Sequence, residues 1–227
     1  MNETREKEQR FTSVKDRFLH KRSVETSERF NMLTHLVGTA AAIIGTILLI
    51  ASGLEESDPW KVVGFSIYGV SLILLYMAST LYHTFTGKLK GFFKKVDHLA
   101  IYLLIAGSYT PFLLGPLRES VGWPVFITVW SLVGIGFIVE FLPWDKRRVI
   151  PLLLYLGMGW FAVLVAKPMM EALTLQGFLW VIAGGLFYTG GVLFYIFDHT
   201  HRYAHGVWHL FVLAGSTSHY VAILGYV

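Results

Sequence analysis

Five side chains able to do chemistry, Ser79, His83, Asp97, His205 and His209, stand at the ends of long apolar stretches in a chain that contains no cysteine. In His205-Gly206-Val207-Trp208-His209 the two imidazoles are four residues apart, which on a helix puts them on one face within reach of a single ion. His83 offers a third imidazole. Three histidines with a fourth position open are the arrangement of a catalytic rather than a closed structural zinc site, and borderline imidazole nitrogen suits zinc. Zinc in such a site brings the pKa of a bound water toward about 7. A soluble zincin takes its general base from the Glu of H-E-x-x-H. Here the intervening residues are Gly206, Val207 and Trp208, so the base comes from elsewhere, and Asp97 is the carboxylate expected at the same depth. Ser79, one turn before His83, is placed to hydrogen-bond the water, a substrate carbonyl or Asp97.

The elements that must position these residues are membrane spans. Of 227 residues, 54% are hydrophobic and 15% charged, against about 25% charged in an ordinary soluble domain. Taking about 20 residues per crossing, the apolar stretches predict helices at 32–52, 60–83, 96–114, 122–142, 150–166, 177–197 and 205–225: an all-α integral membrane protein, a seven-transmembrane-helix bundle. The fifth is short and flanked by Pro151 and Pro168, and residues 84–95 form a basic loop. Gly184-Gly185 and Gly190-Gly191 suit close helix approach in lipid.

Sixteen of the Lys and Arg residues fall on one side: eight in the N-terminal tail, then Lys88, Lys90, Lys94, Lys95, Lys146, Arg147, Arg148 and Arg202. Only Lys61, Arg118 and Lys167 fall on the other, so the N-terminus is cytoplasmic and the C-terminus outside. Trp60 and Trp123 at outer ends, and Trp144 and Trp208 at inner ends, agree with indoles at headgroup level. The five chemical residues then share the cytoplasmic side, with Asp97 opening helix three.

Residues 1–30 form a basic cytoplasmic tail ahead of a transmembrane domain at 31–227. The tail lacks the apolar core of a signal peptide. Residues 14–29 read either as an amphipathic helix on anionic inner-leaflet lipids, with Phe18 and Phe30 touching acyl chains, or as a disordered segment.

Other polar residues have plainer expectations. His20, His98, His199 and His201 read as solvated interface side chains, and Glu140 as a partner of the basic loop at Lys146, Arg147 and Arg148. His35, one turn inside helix one, is a candidate neighbour of the site that orients a ligand or lipid headgroup. His219 lies about 21 Å along the last helix from His205, too deep to join the same ion. It is expected to pair with a hydroxyl such as Ser216 or to line a cavity.

Ser79-Thr80-Leu81-Tyr82-His83, Asp97 and His205-Gly206-Val207-Trp208-His209 resemble the three motifs of the haemolysin III family, the bacterial branch of the progestin and adipoQ receptor superfamily. Glu28-Arg29-Phe30-Asn31-Met32-Leu33-Thr34-His35 resembles the segment leading those proteins into helix one, and His209-Leu210-Phe211-Val212-Leu213-Ala214-Gly215-Ser216 their last helix. The likeness runs from about residue 25 to the C-terminus. It implies zinc held by His83, His205 and His209, with Asp97 acting through water, in a protein of the bacterial plasma membrane. Related receptors and alkaline ceramidases imply hydrolysis of a lipid amide or other acyl bond, with a membrane lipid as partner and no nucleic acid. The alternative is a non-enzymatic regulator of membrane homeostasis with structural zinc. A pore-forming haemolysin fits less well, since no charged stripe runs through the spans.

Overall fold

A computed structural model describes residues 2–142, 148–198 and 200–227, with side chains from Glu25 onward. Its helices are α1 Asn2–Glu55, α2 Pro59–Thr84, α3 Gly87–Leu114, α4 Trp123–Phe141, α5 Val149–Trp160, α6 Ala166–Ala172, α7 Leu175–Ile196 and α8 Ala204–Tyr226. A 3₁₀ turn at Phe161–Val165 joins α5 and α6 into one crossing, so among the described residues seven segments are long and apolar enough to span a bilayer. The 22 residues of α7 rise about 33 Å, against a hydrocarbon core of about 30 Å.

Leu33, Val37, Ile44 and Ile47 on α1, and Ile127, Ile135 and Ile138 on α4, point outward. In water such faces would drive aggregation; in lipid they are the solvated surface, and helical backbone is suited to it because it pairs its own polar groups. The most enclosed spans are α2 and α3, and Phe65, Tyr68, Leu75, Tyr102 and Leu113 form much of the core. Around the bundle α1 packs on α2, α2 on α3, and α3 on α4 and α5. The circuit continues through α5, α6 and α7 to α8, which returns to α1 and touches α3. Long side chains carry α2 across to α8: the Tyr68 hydroxyl donates to the Ser216 carbonyl at 3.1 Å and Tyr76 to the Ser216 hydroxyl at 2.7 Å.

Capping explains the outer start of α2. Asp58 accepts from the backbone N–H groups of Trp60 and Lys61, and Pro59 occupies the first helical position, where its missing N–H costs nothing. Trp60 meets Trp123 edge to face at 5.5 Å, and the Arg118 guanidinium lies over its ring, so the outer indoles form one cluster.

Three expectations are corrected. The basic loop at 84–95 contracts to Phe85 and Thr86, and α3 begins at Gly87, whose φ of +61° favours glycine. Lysine is a good helix former, so Lys88, Lys90, Lys94 and Lys95 extend α3 into the headgroup layer, where hydropathy no longer reports helix. Asp97 therefore sits almost three turns into α3 rather than capping it. The fifth crossing runs on to Ala172, because Pro168 falls in the first turn of α6, where its absent N–H has no partner to lose. Phe30 covers the start of α8 instead of facing acyl chains, meeting Tyr203 edge to face with ring centroids 6.2 Å apart. Trp144, Lys146, Arg147 and His199 lie outside the described residues, as do the side chains of Phe18 and His20.

The glycines of α7 divide by face. A Cβ at Gly184 would stand 2.1 Å from the His219 ring and one at Gly191 2.8 Å from Phe211, whereas Gly185 meets nothing within 4 Å. The close approach expected in lipid is thus made against α8 by Gly184 and by both Gly190, where a Cβ would stand 3.3 Å from Phe211, and Gly191, with Gly185 alone of the four facing away.

Candidate metal centre

α2 delivers His83 one residue before its C-terminal end, and α8 delivers His205 and His209 from its first two turns. The three rings form a nearly equilateral group, with centroids 5.1 Å apart for His83–His205 and His83–His209 and 4.8 Å for His205–His209. One ligating nitrogen from each lies within 4.8 Å of the others. A tetrahedral ion with Zn–N of about 2.0–2.1 Å needs nitrogens about 3.3 Å apart, a contraction that small side-chain rotations supply.

The other ring nitrogens show which atoms are free. His83 Nδ1 is 3.1 Å from Glu28 Oε2, His209 Nδ1 is 3.1 Å from the Asn31 carbonyl and 3.2 Å from Thr34 Oγ1, and His205 Nδ1 is 3.4 Å from Asp198 Oδ2. With every Nδ1 turned to an oxygen of the protein, Nε2 is the nitrogen each ring has left to offer an ion. His83 Nε2 is buried and meets no protein partner. This is how metal-binding imidazoles are held: an acceptor on one nitrogen fixes tautomer and ring orientation, and the other nitrogen faces the ion. His83 and His209 are 7% and 1% exposed, while the His205 side chain keeps 24% of its surface, so the cluster is open to the outside only at His205.

Much of the orienting apparatus comes from α1. Glu28, Asn31 and His35 lie on one stripe of that helix. Glu28 also accepts from Lys90 Nζ at 2.6 Å, tying α1, α2 and α3 together at the cytoplasmic end. Asn31 and Phe30 approach closely because Gly206, between the paired histidines, has no side chain: a Cβ there would be 2.3 Å from the Phe30 ring and 2.9 Å from Asn31 Oδ1.

Asp97 enters from α3, half-buried, near Ser79 and within the electrostatic reach of His83 and His205. It is not the only carboxylate at this depth, as the sequence suggested. Glu28 and Asp198 are there too, and each serves a histidine. Glu28 lies 55 residues from His83, so no local spacing announced the pair.

His35 stacks on His209 with centroids 3.6 Å apart and planes 10° from parallel, and meets the edge of Tyr76 at 5.1 Å. It is outside the group of three that can share an ion. His98, expected in solvent, is buried: its Nδ1 is 3.1 Å from Glu140 Oε1, and Arg148 grips both oxygens of Glu140 at 2.9 and 2.6 Å. That grip holds Arg148 in a left-handed conformation with φ of 50° at the start of α5. The expected pairing of Glu140 with the basic loop is made through this residue. His201 is exposed. His219 turns its Nε2 to the Val181 carbonyl at 3.2 Å, while Ser216 is taken by Tyr76 and Tyr188, so the expected His219–Ser216 pair is not formed.

Seven helical spans closing around three convergent histidines at one membrane face define an integral membrane protein able to hold a metal ion. A sequence model of the family described as Haemolysin-III related matches residues 24–220, and the chain belongs to that family, within the progestin and adipoQ receptor superfamily. It is 41% identical over 202 residues to Hemolysin-3 of Bacillus cereus, covering 87% of this chain and 90% of that protein. It is 38% identical over 197 residues to the Hemolysin-3 homolog of Bacillus subtilis (strain 168), covering 86% and 92%. The human monocyte to macrophage differentiation factor is 35% identical over 207 residues, covering 86% and 82%. No solved structure matches the chain. The spans and the bacterial relatives make this an integral protein of a bacterial plasma membrane.

Proposed function

We propose that this protein is a zinc-dependent hydrolase of a membrane lipid, cleaving an amide or other acyl bond at the cytoplasmic side. The observation carrying this reading is the convergence of three histidines whose Nδ1 atoms all face protein oxygens, with the buried Nε2 of His83 meeting no protein partner. Three imidazoles are a fitting donor set for zinc with one position left open. When bound there, zinc supplies Lewis acidity and lowers the pKa of a coordinated water. The chain supplies the rest. Asp97 takes a proton from the attacking water and passes it to the leaving group, while Ser79 fixes the carboxylate by hydrogen bonding. Glu28, Asn31, Thr34 and Asp198 keep the imidazoles in one tautomer. The lipid-solvated exterior suits an acyl-chain substrate that arrives from within the leaflet.

The test compares wild type, Asp97→Ala and His209→Ala as purified proteins, by metal analysis and by mass spectrometry of N-acyl lipids incubated with each. Expected are stoichiometric zinc and product from wild type, zinc without turnover from Asp97→Ala, and loss of both from His209→Ala. Folded wild type with zinc but no lipid product would instead favour a structural ion in a non-enzymatic regulator.

A further inference from the structure

His35 is 3% exposed, and neither of its ring nitrogens meets a hydrogen-bonding partner in the protein. A neutral imidazole carries one N–H donor and one acceptor, and buried groups of this kind are ordinarily satisfied. The His209 backbone carbonyl approaches the ring without meeting hydrogen-bond geometry, and the side-chain polar groups around it are engaged elsewhere. The Tyr76 hydroxyl donates to Ser216, the Thr39 hydroxyl to the backbone carbonyl of His35, and Nδ1 of His209 is turned to Asn31 and Thr34.

Its position says what it serves. The ring lies flat on His209, directly beside the three-histidine group, with His83 and His205 also within electrostatic reach. Asp97 reaches His83 and His205 from α3, whereas His35 reaches His209 from α1. The cluster thus has a carboxylate beside it from α3 and a buried imidazole with no hydrogen-bond partner beside it from α1. Acyl transfer needs both: a base for the water, and a donor for the carbonyl oxygen as negative charge develops on it. Packing alone would be met as well by phenylalanine.

We propose that His35 is a catalytic hydrogen-bond donor, its ring N–H binding the carbonyl oxygen of the acyl substrate held beside His209. The proton stays on His35 throughout, so it polarises the carbonyl without exchanging a proton. This assignment rests on the hydrolase reading above and names the residue that recognises the acyl carbonyl.

Dodecanehydroxamic acid, which carries an acyl chain and a carbonyl oxygen on a metal-binding head, is the probe. Its affinity for zinc-loaded protein in detergent is measured for wild type, His35→Phe and His35→Gln, together with zinc content. His35→Phe retains zinc and loses roughly 10- to 100-fold in hydroxamate affinity, the effect of one hydrogen bond to a charged acceptor. His35→Gln, which keeps an amide N–H, recovers most of that loss. With an N-acyl lipid, His35→Phe lowers kcat by about 10²- to 10³-fold with little change in KM. Unchanged hydroxamate affinity in zinc-loaded His35→Phe overturns the proposal, as does loss of zinc from both variants, which would make His35 a support of the ion. Should His35→Phe fail to fold, His35→Gln against His35→Ala makes the same comparison. A wild type that binds hydroxamate through His35 but turns over no lipid refutes the hydrolase reading and leaves His35 as a carbonyl-recognising group.

Discussion

Removal of the Glu28 carboxylate tests whether α1 builds the metal centre or merely lies beside it. Glu28 Oε2 takes His83 Nδ1 at 3.1 Å and Lys90 Nζ at 2.6 Å. In Glu28→Ala the buried His83 loses the acceptor that fixes its tautomer, and its Nε2 is no longer held toward the other two rings. Loss of such an orienting partner costs about 10- to 100-fold in metal affinity, or roughly 1.4–2.8 kcal/mol. Two features of the contact place the expectation at the tenfold end. The carboxylate is shared with a lysine, and the Glu28 side chain is 32% exposed, so water replaces part of what is lost. Glu28→Gln keeps an amide oxygen for His83 and loses only a few-fold. Lys90→Met frees the carboxylate for His83 alone and leaves zinc affinity at or slightly above wild type. The assay is zinc titration of detergent-purified apoprotein against a chromophoric chelator, with His83→Ala as the reference for a lost ligand. Wild-type zinc affinity in a folded Glu28→Ala protein would refute the reasoning. So would an equal loss in Lys90→Met, which would make the carboxylate a latch between helices.

Two further substitutions test the scaffold. Glu140→Ala leaves Arg148 and His98 without their buried partner and lowers stability by about 3–5 kcal/mol; thermal unfolding in detergent should show this while zinc stoichiometry holds, and Glu140→Gln with Arg148→Met should recover more than half. Gly184→Ala drives a Cβ into the His219 ring and costs about 1–3 kcal/mol. His219→Ala in the same chain should relieve it, and strictly additive effects in the double mutant would show that α7 and α8 do not meet there.

The features legible in the sequence are those that depend on neighbours along the chain. Seven spans follow from stretches of apolar residues, because lipid selects for them segment by segment. The shared face of His205 and His209 follows from helical geometry alone. Where the reading failed, a local rule met a non-local environment. The lysines after α2 look like a loop by hydropathy, yet they prolong α3 once their charges can reach the headgroup layer. His98 looks solvated beside a run of lysines, yet Glu140, 42 residues away, draws it into the bundle.

Composition, charge bias and short motifs thus determined the class of protein, its crossings and the imidazoles able to meet at one ion. Only the tertiary structure decided what surrounds them. Helices in lipid are apolar on every side, so their sequences do not say which face turns inward or which helices become neighbours; packing does. That packing brings Glu28 to His83, Asn31 and Thr34 to His209, and lays His35 flat against His209, 174 residues away. A row of histidines in the sequence becomes an oriented site because α1 closes against α8 over a glycine.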